Sequence, residues 1–435
     1  MKIFLLTICA FVTIDAAAQD TVSRVLTIKQ LFALTEANAK QLSIAHQNID
    51  IGDSKVDVAK SDRLPEIGTS ADIGYLSTIA ILNPDFSFHS NVPTPHLSNN
   101  YFVGASEVIY KGGYVRHNVS RAKLSVELAG LNYDKDAQEI KLLLLGRYLE
   151  LYELYNSTVI YKKNIQLSRR RLSDLEKLNK EGLVTGNDLI RSRLQIADFG
   201  LDLDHLQNNI TIVNNELAVV LGLSPSTKIL PDTTLTDSPL HEIPLEGYLQ
   251  SAYTSQPEMK VTRINEKISE QNVALEKSAR MPAISLYAGD ALQRPFLLTL
   301  EPLDIYYNAY QAGLKVQYNI SSIYHAKDKI RLANLELAQQ RTKTEWQKQQ
   351  TEIAVTTAFT RYNEAKQDFQ TLQKSLDLAD DNFRVVQKKY INQLAQITDM
   401  LDASTSKLAA ELRLNNARIN IINQWYRLQK ASGNF

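Results

Sequence analysis

The sequence predicts a mainly α-helical chain with a membrane β-barrel portion, built from one unit used twice: a long helical hairpin joined to a strand hairpin. Three observations carry that prediction. The phrase KSDRLPEI at 60–67 returns as KSARMPAI at 277–284, 217 positions later in a chain of 435 residues. Each copy is followed by a segment alternating apolar and polar residues with period two, the mark of a half-exposed strand. Glycine (16) and proline (12) are scarce, as expected of a chain with few turns and long helices.

The elements follow in order. Residues 1–18 read as a secretory signal peptide: Lys2, an apolar run from Ile3 to Ile14, then Ala16-Ala17-Ala18 before the cleavage point. The only cysteine, Cys9, lies within it, so the exported chain has no thiol for a disulfide or a lipid. The first repeat is expected over 19–230, a linker over 231–244 containing Pro231, Pro239 and Pro244, and the second repeat over 245–435. In each repeat an amphipathic helix of some thirty residues runs to Arg63-Leu64-Pro65 or Arg280-Met281-Pro282. There proline ends the helical ladder and biases the residue before it toward extended backbone. Arg63, Pro65, Arg280 and Pro282 therefore mark two equivalent helix-to-strand junctions. Strands are expected at about 66–77 and 101–111 around a polar loop at 82–100, and at about 283–292 and 305–319. Gly112 and Gly113 serve the sharp turn from strand into helix, where the second copy has Ser321 and Ser322. Long helical hairpins then run over about 114–222 and 323–430, each with a break near its middle. A 67-residue arm of such a hairpin is about 100 Å long.

Charge and motifs exclude much. With 48 basic and 48 acidic residues there is no basic patch for nucleic acid. The seven histidines are scattered, and no metal-spaced cluster, phosphate loop or nucleophile elbow is present, so neither enzyme chemistry, a metal nor a cofactor is expected. After the signal segment no apolar run reaches the length of a transmembrane helix. Four strands cannot close a membrane barrel, for which about eight are needed. The apolar stripe Leu142, Leu145, Leu149, Tyr152 and Tyr155 likewise needs neighbouring helices. Pooling three chains supplies twelve strands and twelve helices, and so an oligomeric tube.

At this point the sequence resembles the TolC-type outer-membrane efflux protein family over nearly the whole exported chain. The resemblance rests on the duplicated Arg-x-Pro junctions and on Tyr110-Lys111-Gly112-Gly113. It rests also on Gly182-Leu183-Val184 with Asp188 at one helical tip, and on Tyr390 followed by Asp399-Met400-Leu401-Asp402-Ala403 at the other. It implies a homotrimer in the outer membrane of a Gram-negative bacterium, with a twelve-strand β-barrel in outer-membrane lipid and a twelve-helix α-barrel in the periplasm. It implies as partners a periplasmic adaptor (membrane fusion) protein and an inner-membrane pump, either an RND transporter or an ABC exporter. The duct would pass small molecules such as drugs, metals or metabolites. The alternatives are the exit duct of a type I protein secretion system and a periplasmic coiled-coil structural protein.

The resemblance also assigns residues. Asp399 and Asp402 stand three apart on one helical face and correspond to a periplasmic constriction, where three copies would favour cations. Read from the residues alone they are acids in a first helical turn, with Thr398 as the N-cap. Tyr390 and Asp188 correspond to gate contacts, although the family's basic latch position is here Ala395 and Gln393 stands where glycine is usual. Gly182, Leu183, Val184 and Thr185 correspond to an adaptor-docking tip. The run Arg169-Arg170-Arg171 reads as a solvated helical face. Tyrosines around the strands (Tyr75, Tyr101, Tyr110, Tyr287, Tyr306, Tyr307, Tyr310 and Tyr318) fit an interfacial belt or simple β-propensity.

Overall fold

A computed structural model describes residues 23–232, 242–299 and 302–435; the expected signal peptide and residues 233–241 of the expected linker lie outside them. The first repeat runs β1 (Ser23–Leu26), α1 (Ile28–Asn38), α2 (Lys40–Ser61), β2 (Glu66–Tyr75), β3 (Ile79–Leu82), β4 (Phe88–Val92), β5 (Leu97–Lys111), α3 (Tyr114–Lys180), α4 (Gly186–Val220) and β6 (Lys228–Pro231). The second runs α5 (Leu245–Ser255), α6 (Pro257–Ser278), β7 (Ala283–Arg294), β8 (Tyr307–Gln317), α7 (Ser322–Ile391) and α8 (Ile397–Ala431).

The duplication is written into the boundaries. α1 and α5 begin 217 positions apart, as do the ends of α2 and α6 and the starts of β2 and β7. One expectation is corrected here: the thirty-residue helix is two helices in both copies. The break falls at Ala39 (φ −64°, ψ 113°) and at Gln256 (φ −61°, ψ 128°), again 217 apart. In the second copy Pro257 forces it, by pushing Gln256 out of the helical region. In the first copy no proline stands there. Ala39 adopts the same extended angle while its N–H still reaches Thr35 O at 3.0 Å, and Leu42 N reaches Ala39 O at 3.0 Å, so the break leaves these groups bonded. Ala39 is buried between Leu31 and Leu42, so packing on both helices holds the bend.

The described residues form two compact units. One comprises 44–135 and 251–353 and holds an antiparallel four-stranded sheet in the order β2–β5–β7–β8. Cross-strand partners share a face. One face runs from Ile67 and Thr69 of β2 through Ala105 and Val103 of β5, then Ala288 and Asp290 of β7, to Ala312 and Tyr310 of β8. The other carries Gly68, Gly104, Gly289 and Gln311 in one row and Asp72, Asn100, Gln293 and Tyr307 in another. Its glycine row makes room for an aromatic ring, because a Cβ at Gly104 or Gly289 would stand 2.5 or 2.7 Å from the Phe102 ring. The polar loop expected at 82–100 contains a small hairpin, β3–β4, whose alternation of Ile79 and Ile81 ends in an Asn83–Ser87 turn.

The junctions repeat to the hydrogen bond. Arg63 N donates to Lys60 O and Leu64 N to Ser61 O; Arg280 N donates to Lys277 O and Met281 N to Ser278 O. Gly112 has φ +60°, and a Cβ there would lie 2.6 Å from Ser278 O and 2.7 Å from Met281 Cβ. The strand-to-helix turn of the first copy thus presses on the helix-to-strand junction of the second. Gly113 also has positive φ, +79°.

The other unit comprises residues up to 43, 136–250 and 354–435. Its core gathers Leu26, Leu31, Leu145, Leu149, Leu217 and Ile229, all at most 2% exposed. β1 and β6 pair in parallel, and the buried Tyr148 hydroxyl donates to Leu26 O at 2.6 Å and accepts from Asp232 N at 2.9 Å. Burial pushes the Tyr148 phenol up to about 12. Phe435 packs edge-on against Phe32 and Tyr426. Ile165, Phe199 and Leu408 form a separate apolar cluster.

Candidate functional site: the two helical tips

The two breaks in the long helical hairpins are built on one backbone plan. At the first, Gly182 (φ +74°) N donates to Asn179 O at 3.0 Å and Leu183 N to Leu178 O at 2.9 Å. At the second, Gln393 (φ +61°) N donates to Tyr390 O at 2.9 Å and Leu394 N to Lys389 O at 2.8 Å. Both are left-handed helix closures that satisfy the last carbonyls. Three residues later each chain re-enters a helix. Thr185 caps α4: its hydroxyl accepts from Asp188 N at 3.3 Å, and the Asp188 carboxylate accepts from Thr185 N at 2.8 Å, a reciprocal capping box. At the second tip Asp399 accepts from Gln396 N at 3.0 Å.

Each site residue read from sequence can now be located. Asp399 and Asp402 lie in the first turns of α8, both exposed. The N-cap is Gln396 and not Thr398, whose hydroxyl instead donates to Gln396 Oε1 at 3.4 Å. The reason is geometric: the extended residue (φ −81°, ψ 162°) must stand three before the acid that closes the box, which is Gln396 relative to Asp399. Gly182 and Thr185 are exposed, Leu183 is 48% exposed, and Val184 is half-buried with its carbonyl held by Asn179 Nδ2 at 2.8 Å. Leu394, the counterpart of Leu183, is 76% exposed. Ala395 leaves the second tip without a basic side chain at that position.

Tyr390 and Asp188 come within electrostatic reach but share no hydrogen bond. Burial raises the Tyr390 pKa most, the Asp188 carboxylate raises it further, and Arg171 lowers it. The Tyr390 hydroxyl is buried and has no hydrogen-bond partner. The reading of Arg169-Arg170-Arg171 as a solvated face holds for the first two, which are exposed, and fails for Arg171, which is half-buried. Its position could have been foreseen. Asn164, Ile165, Ser168 and Leu175 form the buried stripe of α3, and 171 falls on that stripe while 169 and 170 do not. Among the described residues no group of three or more His, Cys, Asp or Glu is arranged to hold a metal, and no helix is long and apolar enough to cross a membrane.

With this geometry in view, comparison with known proteins is specific. Residues 248–434 match the family model described as outer membrane efflux protein. The outer membrane efflux protein BepC of Brucella suis biovar 1 (strain 1330) is 21% identical over 399 residues, which is 91% of this chain and 83% of BepC. The CusC crystal structure superposes with a TM-score of 0.79 at 15% identity, covering 93% of this chain and 92% of CusC. The outer membrane protein VceC of Vibrio cholerae superposes with a TM-score of 0.74 at 15% identity, covering 93% and 96%. The chain is similar to outer membrane efflux proteins by family model over its second repeat and by the BepC likeness over 91% of its length, and it shares the fold of CusC and VceC over nearly all its length.

Proposed function

We propose that this protein is a passive outer-membrane duct of a tripartite efflux system. One observation carries the reading. The four-stranded sheet has β2 and β8 each paired on one side only among the described residues, and its apolar face is bare, with Ile67 75% and Tyr310 86% exposed. A sheet with open edges and an exposed apolar face is not stable in water. It needs strands from other copies at its edges and lipid on its apolar face, as spanning strands require. Three copies pool twelve strands around the polar face that carries Gly68, Asp72, Asn100, Gln293 and Gln311, which lines the pore.

The helical hairpins form the periplasmic tunnel, with their tips at its inner end. Asp399 and Asp402 from three copies form an acidic constriction that favours cations. Gly182, Leu183, Val184 and Thr185 offer an exposed aliphatic turn to a periplasmic adaptor, and Tyr390 with Asp188 forms part of the entrance gate. An adaptor and an inner-membrane pump, of the RND or ABC type, deliver small molecules into the duct. The BepC likeness supports efflux as the task. Electron-microscope imaging of the detergent-extracted protein tests the assembly. A threefold particle with a hollow tube is expected; a monomer, or a rod soluble without detergent, overturns the duct.

A further inference from the structure

The polar face of the sheet carries a chain of hydrogen-bonded side chains that crosses all four strands. The Tyr307 hydroxyl on β8 donates to Gln293 Oε1 on β7. Gln293 Nε2 donates to Asn100 Oδ1 on β5 at 3.1 Å, and Asn100 Nδ2 donates to Asp72 Oδ2 on β2 at 3.5 Å. The four residues are cross-strand partners in a single row. The far end is seated: the Phe296 ring packs edge-on against Tyr307 at 5.1 Å, and Phe296 exchanges backbone bonds with Leu303 at 2.9 and 3.0 Å. Polar side chains facing water gain little by pairing with one another, so the row calls for a reason beyond solvation.

Its direction supplies one. Amides and phenols both donate and accept, so a row of them can run either way. Here all three donors point toward Asp72, the member that, once ionised, only accepts. Donors in series polarise one another, and their positive ends stand nearest the carboxylate and fix its place. The last printed link is long, and among the described residues the exposed Asp72 makes no other hydrogen bond and no ion pair. Most of its accepting capacity therefore stays free for a passing solute. Asp72 is also alone in charge. The other charged side chains of this face, Glu66, Lys111 and Lys315, lie toward the strand ends that adjoin the helices. Lys315 stands eight residues along β8 from Tyr307, about 27 Å of strand, where charges act over about 8 Å at physiological salt. Arg294, on the opposite face, is taken by Asp304 at 2.6 and 2.9 Å.

We propose that Asp72 is a specificity-determining residue of the duct, and that Asn100, Gln293 and Tyr307 are its positioning residues. Three copies bring three such chains to the lumen, each ending on a held carboxylate. Together they favour solutes of positive charge, protonated amines above all, because a carboxylate accepts strongly from a charged N–H donor. Low-dielectric walls around a water-filled passage concentrate the field of those three charges. The filter rests on the duct reading given above. It is carried by the sheet, whereas Asp399 and Asp402 belong to the other compact unit.

The test is the reversal potential of the purified assembly in planar bilayers under a KCl gradient. The parent carries Asp399→Asn and Asp402→Asn, so that those carboxylates contribute nothing, and is compared with Asp72→Asn, Asp72→Glu, Tyr307→Phe and the Asp72→Asn/Tyr307→Phe pair. Asp72→Asn keeps the shape, removes the charge and is expected to lower the potassium-to-chloride permeability ratio several-fold. Asp72→Glu keeps the charge and is expected to retain most of the ratio. Tyr307→Phe removes only the hydroxyl that starts the chain and is expected to lower the ratio by a smaller factor, with no further loss when added to Asp72→Asn. Such non-additivity is the signature of a residue that acts through another. Conductance in about 1 M KCl, where charges act over only about 3 Å, is expected to stay at the parent value, which separates lost selectivity from a collapsed barrel. A parent ratio kept by Asp72→Asn or by Tyr307→Phe, or a Tyr307→Phe effect undiminished in the pair, overturns the filter while leaving the duct intact. A parent assembly that forms no pore overturns the duct and the filter together. Should Asp72→Asn fail to assemble, Gln293→Leu cuts the chain at its middle: a loss matching that of Tyr307→Phe supports the filter, and an unchanged ratio overturns it.

Discussion

The two tips share a backbone and differ in how comfortably the side chains fit it. At the first, glycine takes the left-handed position and a threonine–aspartate box starts the next helix. At the second, Gln393 is forced into the same left-handed angle and Gln396 replaces the hydroxyl cap. A side chain in that region costs roughly 1–2 kcal/mol, and a hydroxyl or carboxamide cap contributes about 1 kcal/mol. The second tip therefore carries a strained left-handed side chain where the first has glycine. The strand-to-helix turns differ in the opposite sense: the first copy's turn is locked by Gly112 against Ser278, and the second passes through Ser321 without needing glycine.

The contrast can be broken or sharpened by substitution. The largest effect is expected at the locked turn. Gly112→Ala must carry both the strain of positive φ and a clash with backbone, a loss of about 2–4 kcal/mol, visible as a lower Tm of the assembled protein. Ser321→Ala at the other turn is expected within about 0.5 kcal/mol of wild type; equal losses at both would abolish the distinction. Next in size is the first cap. Thr185→Ala removes one half of the box and should weaken the start of α4 by about 1 kcal/mol, read as faster hydrogen exchange at the amides after Thr185. The smallest effect carries the opposite sign. Gln393→Gly relieves the left-handed strain at some cost in chain entropy, so the second tip should gain about 0.5–1 kcal/mol of protection in the same experiment. Unchanged exchange there would mean that Gln393 sits in its angle without penalty.

How much of this could be read in advance depended on whether the signal was local. The helix over Tyr114–Lys180 and the return from Gly186 follow from the absence of proline and the position of Gly182, and both are found as expected. The strand alternation and the Arg-x-Pro junctions were equally visible, because proline and period two act on the residues that carry them. The bend at Ala39 was not visible, since it is imposed by packing rather than by a residue that forbids helix. Nor was the parallel pairing of β1 with β6, whose partners lie about 200 residues apart. At the tips, the acids and the turn glycine stood out by residue type. Arg171 did not, because its neighbours Arg169 and Arg170 disguised it and only the buried period of α3 separates the three.

The ring of Phe102, lying across Gly104 and Gly289, has a consequence for sieving. If the polar face lines the pore, as proposed, a ring lying flat takes little of its cross-section, and a ring standing upright takes far more. The tilt is set by two hydrogens, one on each glycine, where any other residue has a carbon. A single methyl at either position would lift the ring and narrow the passage without moving the backbone. In the proposed duct, the width open to a solute would then be adjustable in evolution by one-codon steps.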